Sequence, residues 1–135
     1  MTLNLLATSI YSKLSGDSTL TSMLATTTSI YSIRAPEDAV YPYIVYSLFY
    51  GGVLNINPSD LREPSYFIRA YATTAKVAGN IQTQIATLLH KGTITVTGYT
   101  LIASELTEEL EGDEITDAGR SIYMRGGVYR FQLDS

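Results

Sequence analysis

The residues that could carry chemistry are few, and they fall at two places in the sequence. His90 is the single histidine, and no cysteine occurs among the 135 residues. A zinc site would therefore need three carboxylates beside one imidazole, which is an unusual ligand set for that metal. His90 stands next to Lys91 and Gly92 at the end of a helical pattern. We expect its ring to satisfy the last carbonyl groups of that helix and not to act in catalysis.

The second place in the sequence is a run of acidic side chains. Seven of the thirteen acids lie between Glu105 and Asp117, and no lysine or arginine occurs between Gly92 and Gly119. This acidic span consists of Glu105, Glu108, Glu109, Glu111, Asp113, Glu114 and Asp117. Two interpretations stay open: a solvated hairpin tip, or a surface that meets a basic partner or repels DNA passing nearby. The run DEITDAG lacks the ligand spacing of a calcium loop, and a lone loop supplies no sugar cleft for paired carboxylates.

The short motifs that mark common enzyme sites are absent. The sequence has no G-x-x-x-x-G-K-[ST] phosphate loop, no G-x-G-x-x-G dinucleotide turn and no G-x-S-x-G nucleophile elbow. We therefore predict that the protein is not an enzyme and that it has no catalytic residue, metal or cofactor.

Composition narrows the class of protein further. Hydrophobic residues make up 45% of the chain, charged residues 16%, and the formal net charge is −4. A net negative charge argues against specific binding of nucleic acid or anionic lipid, whose phosphates attract basic surfaces. No apolar run is long enough for a membrane span, and the N-terminus lacks the pattern of a secretory leader, so we expect a cytoplasmic product without a membrane anchor. The length predicts one domain over residues 1–135.

Three helices are predicted. Apolar residues recur at helical spacing from Leu3 to Leu14, and Asp17 or Ser18 can cap a short second helix. The clearest helix follows Thr74, and Gly92 suits the position just past its end. Its apolar stripe consists of Val77, Ile81, Ile85, Leu88 and Leu89.

Strands occupy most of the remaining sequence. One is predicted over residues 43–50 with both faces covered, and SYFIRAYAT is its antiparallel partner across a long loop. TITV and YTLIASEL form a second predicted hairpin about Thr97-Gly98, and Gly126-Gly127 marks a bulge or a close approach in the last strand. This order predicts an α+β fold, a single domain in which helices pack on one face of a mainly antiparallel β-sheet.

Two groups of residues are candidate contact surfaces. The predicted loop after Gly51-Gly52 carries apolar residues where polar ones are expected, and its Arg62 is available to pair with an acid of a neighbour. The interface residues predicted there are Val53, Leu54, Ile56, Leu61 and Arg62. The chain also has eleven tyrosines, most of which we expect in the core or on a sheet face and a minority as interface anchors.

Several blocks of the sequence resemble the tail completion, or tail terminator, family of long-tailed bacteriophages. They are LSGDSTLTSML, SIYSIRAPEDAVYPYIVYSL, YFIRAYATTAKVAGNIQTQIATLLH and the closing VYRFQLD. The resemblance covers most of residues 5–90 and about the last ten residues, and the Pro-Tyr block is its most specific part. The segments 51–63 and 107–120 match no family pattern.

The resemblance implies a virion structural protein in the tail or neck. It implies a hexameric ring at the head-proximal end of the tail tube, which ends polymerisation and joins the tail to the head. The implied partners are further copies of the chain, the tail tube protein and a connector or stopper protein of the neck, with DNA passing through the ring. One alternative is another neck or minor tail component such as a head-tail adaptor. A small ligand-binding module or enzyme and a monomeric regulator are alternatives of other classes.

Overall fold

The chain folds into three helices and seven strands within the residues that the computed structural model describes, which are 2–51, 53–55, 60–115 and 119–134. None of the helices in these ranges is long and apolar enough to span a bilayer.

The first two helices form as their apolar spacing and capping residue predict. Helix α1 spans Thr2–Ser15 and fully buries Leu6, Ile10 and Leu14. The short helix α2 spans Ser18–Thr21, and its N-cap is Asp17, whose carboxylate accepts a hydrogen bond from the backbone amide of Leu20 at 2.9 Å. This bond satisfies one of the free amides at the helix start.

Helix α3 spans Ala75–Leu89 and confirms the predicted apolar stripe. Its N-cap is Thr74, whose hydroxyl accepts a hydrogen bond from the amide of Val77 at 3.2 Å. Ile81, Ile85 and Leu89 are fully buried, and Val77 and Leu88 pack against the same core.

The end of α3 differs from the prediction. Lys91, and not Gly92, takes the left-handed conformation after the helix, with φ of 56°. Gly92 is needed for another reason, because a Cβ there would lie 2.0 Å from the carbonyl oxygen of Leu88. The imidazole of His90 does not bond the last carbonyl groups either: its Nδ1 accepts a hydrogen bond from the amide of Leu106 at 3.0 Å. Ser104 satisfies the carbonyl of Leu89 through its hydroxyl, so the helix end is fixed to the neighbouring strand.

The seven strands build one mainly antiparallel sheet. They are β1 (Ile30–Ser32), β2 (Tyr43–Tyr50), β3 (Val53–Asn55), β4 (Asp60–Arg62), β5 (Ser65–Ala72), β6 (Thr100–Ile115) and β7 (Ser121–Asp134). Across the main part of the sheet the order is β1, β2, β5, β7, β6. Strand β4 continues alongside the end of β7 and carries β3 beyond it. Only the short β1–β2 pair is parallel among the described pairings.

All three helices lie on one face of this sheet, as predicted: α1 and α3 contact its strands, and α2 packs against α1 and α3. Tyr66, Ile68, Ala70 and Ala72 alternate along β5, are buried, and point to the helices. We call this side the helix face and the opposite side the outer face. Residues paired across antiparallel strands share a face, so the register assigns every other strand residue to one side.

The segment between β2 and β5 is not the long loop that its turn residues predicted. Strands β3 and β4 pair there, with Val53 opposite Arg62 and Asn55 opposite Asp60. The hairpin is thus longer than expected, because backbone pairing continues past Gly51.

The expectation that both faces of β2 are covered is wrong for its last residues, since Leu48, Phe49 and Tyr50 are exposed.

The segment TITV does not pair with β6. Its Ile94 and Val96 are buried, and the carbonyl of Thr95 accepts a hydrogen bond from the Ser9 hydroxyl of α1 at 2.6 Å. Packing on a helix therefore replaces the expected strand pairing. The turn at Thr97-Gly98 is present, with Gly98 at φ of 83°.

The double glycine marks a close approach in an otherwise continuous β7. The bulges lie instead on β6, between Leu101 and Ala103 and between Leu106 and Glu108. At Gly127 the side chain of Gln82 from α3 packs against the strand. Its amide donates a hydrogen bond to the Tyr129 hydroxyl at 3.0 Å. Burial raises the pKa of Tyr129 well above its usual value.

Candidate functional site

The acidic span is mostly strand and not a hairpin tip. Its residues from Glu105 to Glu114 belong to β6 and pair with β7, while Asp117 lies outside the described residues. Local sequence hides this, because acidic residues disfavour strands and the pairing partner lies further along the chain.

The sheet register separates the acids onto two faces. Glu105 and Glu108 pair with Arg130 and Val128 on the outer face. The other three acids whose side chains the structure describes, Glu109, Glu111 and Asp113, pair with Gly127, Arg125 and Tyr123 on the helix face. The like charges therefore do not form the single surface that their closeness in sequence suggested.

In the described part of the chain, each face carries one salt bridge between β6 and β7. On the outer face the guanidinium of Arg130 contacts the carboxylate of Glu105. On the helix face Nε of Arg125 lies 2.7 Å from Oε2 of Glu111. Among the described residues this leaves Glu108 on the outer face and Glu109 and Asp113 on the helix face exposed and without a salt bridge.

The predicted interface at the hairpin tip is only partly described. Val53 and Leu54 lie in β3, and Ile56 lies outside the described residues. Leu61 and Arg62 are half-buried in β4, where they pair with Asp134 and Leu133 of β7. The tip is thus attached to the main sheet at its base.

Tyrosines form a chain of ring contacts on the outer face that the sequence did not reveal. The Tyr43 ring lies 5.0 Å from that of Tyr41, 5.8 Å from that of Tyr31 and 5.3 Å from that of Tyr71, between ring centroids. Tyr46, by contrast, points to the helix face and is buried in the core. The strand register, and not tyrosine content, decides which rings face outward.

Arg69 lies among these rings. Its guanidinium carbon is 4.9 Å above the centroid of the Phe67 ring and 6.0 Å from that of Tyr71. The guanidinium donates only long hydrogen bonds, 3.4 Å to the Tyr71 hydroxyl and 3.5 Å to that of Ser47, and its buried Nε has no hydrogen-bond partner. Such stacking stabilises a cation but leaves most of its donors available.

A cleft of about 200 Å³ opens beside Arg69 on the outer face. We call it the basic cleft; its lining residues are Ile33, Arg34, Ala35, Tyr43, Val45, Arg69 and Tyr71. Among the described residues, two arginines and no acid line it, in a chain whose net charge is −4. The cleft is therefore suited to an anionic group.

No group of three or more histidine or acidic residues is arranged to hold a metal ion in the part of the chain that the structure describes. His90 lies at the helix end with its Nδ1 occupied by the amide of Leu106.

Comparison with known proteins bears on the family and the fold of the chain. No curated protein matches the sequence. Among solved structures, a chain in the virion of a native gene transfer agent particle is similar, with a TM-score of 0.79 over 99% of this chain and 98% of that chain. The two sequences are 13% identical, so this likeness shows a shared fold. The family model described as tail completion protein gp17 matches residues 8–134. The chain belongs to this family of phage tail structural proteins and is a component of the virion.

Proposed function

We propose that the chain forms a ring of identical subunits, most simply a hexamer, at the head-proximal end of the tail tube. There it ends tube polymerisation and joins the tail to the head. The match to the tail completion family over residues 8–134 carries this proposal. The role is structural and not catalytic, and it requires no cofactor.

The two edges of the sheet support a ring. The sheet ends at the short parallel strand β1 and, beyond the end of β7, at β3; across β7 it ends at the 16-residue strand β6. The edges differ in length and in charge, so contact between unlike edges is favoured over contact between like edges. Such head-to-tail contacts form a closed ring when the rotation between neighbours permits.

The axial partners are the tail tube protein on one side and a connector or stopper protein of the neck on the other. We assign the hairpin tip around Val53, Leu54, Ile56, Leu61 and Arg62 to contact with a neighbouring subunit or with the tube. We place the acidic span near the DNA path or against a basic surface of the neck. Carboxylates at a channel wall repel phosphate, so DNA passes without adhering.

Electron microscopy of the purified protein and of phage lacking its gene tests the proposal. We expect rings in the purified protein and tails of excess length in the deletion phage. Full heads without tails, together with tail tubes of normal length, would instead identify a head-tail adaptor. A protein that stays monomeric, both purified and in tails, would contradict the ring.

A further inference from the structure

We propose that the basic cleft binds a carboxylate of a neighbouring copy of this chain, and that Glu108 of β6 supplies it. This inference rests on the proposed ring and identifies one of its subunit contacts.

The cleft lacks the partner that its arginines require. Arg125 and Arg130 each have a carboxylate partner on β6, whereas Arg69 has only the two long bonds to hydroxyl groups. Arg34 lines the same cleft and is exposed. Guanidinium groups form their strongest hydrogen bonds with carboxylates, in which two parallel N–H donors meet two oxygens. An added carboxylate would meet two positive charges and, from the residues that the structure describes, no negative one.

Glu108 is the acid that fits by position. It lies on the outer face, as the cleft does, and it is exposed without a salt bridge among the described residues. Glu105 shares this face but already contacts Arg130. Glu109 and Asp113 are unpaired but lie on the helix face.

The sheet order prevents the two groups from meeting within one subunit. The cleft lies over β2 and β5 and beside the end of β1, while Glu108 lies on β6 at the opposite edge. Three strand spacings separate β2 from β6, which is about 14 Å. If the β6 edge of one copy lies beside the β1 edge of the next, the two outer faces adjoin. Glu108 then stands next to the neighbour's cleft, and each copy both donates and receives a carboxylate.

Charge reversal tests the contact. Arg34→Glu and Glu108→Arg should each raise the protein concentration needed for ring formation about tenfold or more, because each places like charges at every subunit contact. Mixing the two variants in equal amounts should restore rings, since in an alternating ring each changed cleft meets a changed strand. Both positions are exposed, so the substitutions leave the core intact. Lys76→Glu, an equal charge change at an exposed position of α3, should have no effect.

Rings that form normally from either variant alone, or a mixture that stays dissociated, would overturn the contact while leaving the ring itself in place. Loss of ring formation with Lys76→Glu as well would show a general effect of net charge and would also overturn it. DNA is the competing ligand for two arginines. If wild-type protein bound a short duplex and Arg34→Glu abolished that binding without affecting rings, the cleft would be a phosphate site instead.

A cysteine pair tests the same contact in assembled tails. The chain has no cysteine of its own, so Ala35→Cys with Glu108→Cys introduces the only thiols. Oxidation of tails carrying both changes should give a ladder of covalent oligomers on a non-reducing gel, and either change alone should give none. Tails of normal length without a ladder would contradict the contact, whereas complete tails of normal length on phage lacking the gene would contradict the proposed function.

Discussion

Position 127 requires glycine because of the atoms packed around it and not because of its backbone angles. A Cβ at this position would lie 2.6 Å from Cδ1 of Leu106, 2.8 Å from Nε2 of Gln82 and 3.2 Å from the carbonyl oxygen of Glu108. The side chain of Gln82 cannot easily withdraw, because it is buried and bonded to Tyr129. Gly127 thus lets α3 approach the sheet beside Glu109 of β6.

We predict that Gly127→Ala lowers the free energy of unfolding by about 1–3 kcal/mol, the usual cost of an added methyl group in a packed site. Urea denaturation measures the change through the midpoint at constant slope.

Gly112→Ala provides the matched control in the neighbouring strand. A Cβ there would lie 3.6 Å from Cε of Met124, an ordinary contact. We expect a change within about 0.5 kcal/mol. Equal losses in the two variants would show that strand geometry, and not the contact with Gln82, explains the glycine.

The hairpin formed by β2 to β5 is the element whose structure differs most from the one that the sequence predicted. Pairing between Asn55 and Asp60 leaves only residues 56–59 to connect β3 and β4. Two residues suffice to connect paired antiparallel strands, so the segment can be shortened without a change of register. The tip can thus be tested separately from the sheet.

We predict that replacing residues 56–59 by Asn-Gly preserves the fold but impairs ring assembly or tail joining, because it removes Ile56 from the proposed contact. Thermal unfolding checks the fold, and electron microscopy of complemented phage checks assembly. Ile56→Ser is the control that keeps the length, and it should show a smaller defect of the same kind. Normal tails with the shortened tip would remove this surface from the proposal.

At the scale of the whole molecule, the sheet separates two kinds of charged surface. The basic cleft lies near one edge of its outer face, and the unpaired acids Glu109 and Asp113 lie on the helix face of the other edge. A ring of such subunits repeats both surfaces around its axis. The helix-face acids therefore remain for DNA or the neck even when Glu108 is used between subunits.

We predict that Glu109→Gln with Asp113→Asn changes either DNA ejection or neck assembly while leaving ring formation normal. Slower ejection would place these acids at the DNA path, since neutral walls no longer repel phosphate. A salt-sensitive failure of neck assembly would place them against a basic partner.

Glu37→Gln with Asp38→Asn is the control, because it removes the same charge from an exposed loop. Normal ejection and normal assembly in the first variant would leave the acids as an ordinary solvated surface. A similar defect in the control would indicate an effect of net charge.

The sequence by itself determined the elements whose signals are local. The apolar stripe of α3, the caps Asp17 and Thr74, and the paired strands β2 and β5 follow from spacing and from side chains a few residues apart. Together with the resemblance of the Pro-Tyr block, these patterns were sufficient for the α+β class and for the tail completion family.

Only the tertiary structure decided what depends on pairing between distant segments. The sequence indicates a loop for the acids of β6, but in the fold they form a strand because they pair with β7. The sequence indicates a strand for TITV, but in the fold this segment packs against α1. The face on which Glu108 or Tyr43 lies depends on strand register, and a shift of one residue would reverse it. The basic cleft combines residues from three segments, so no local pattern contains it. Register and long-range packing follow from the fold as a whole, and the candidate surfaces depend on both.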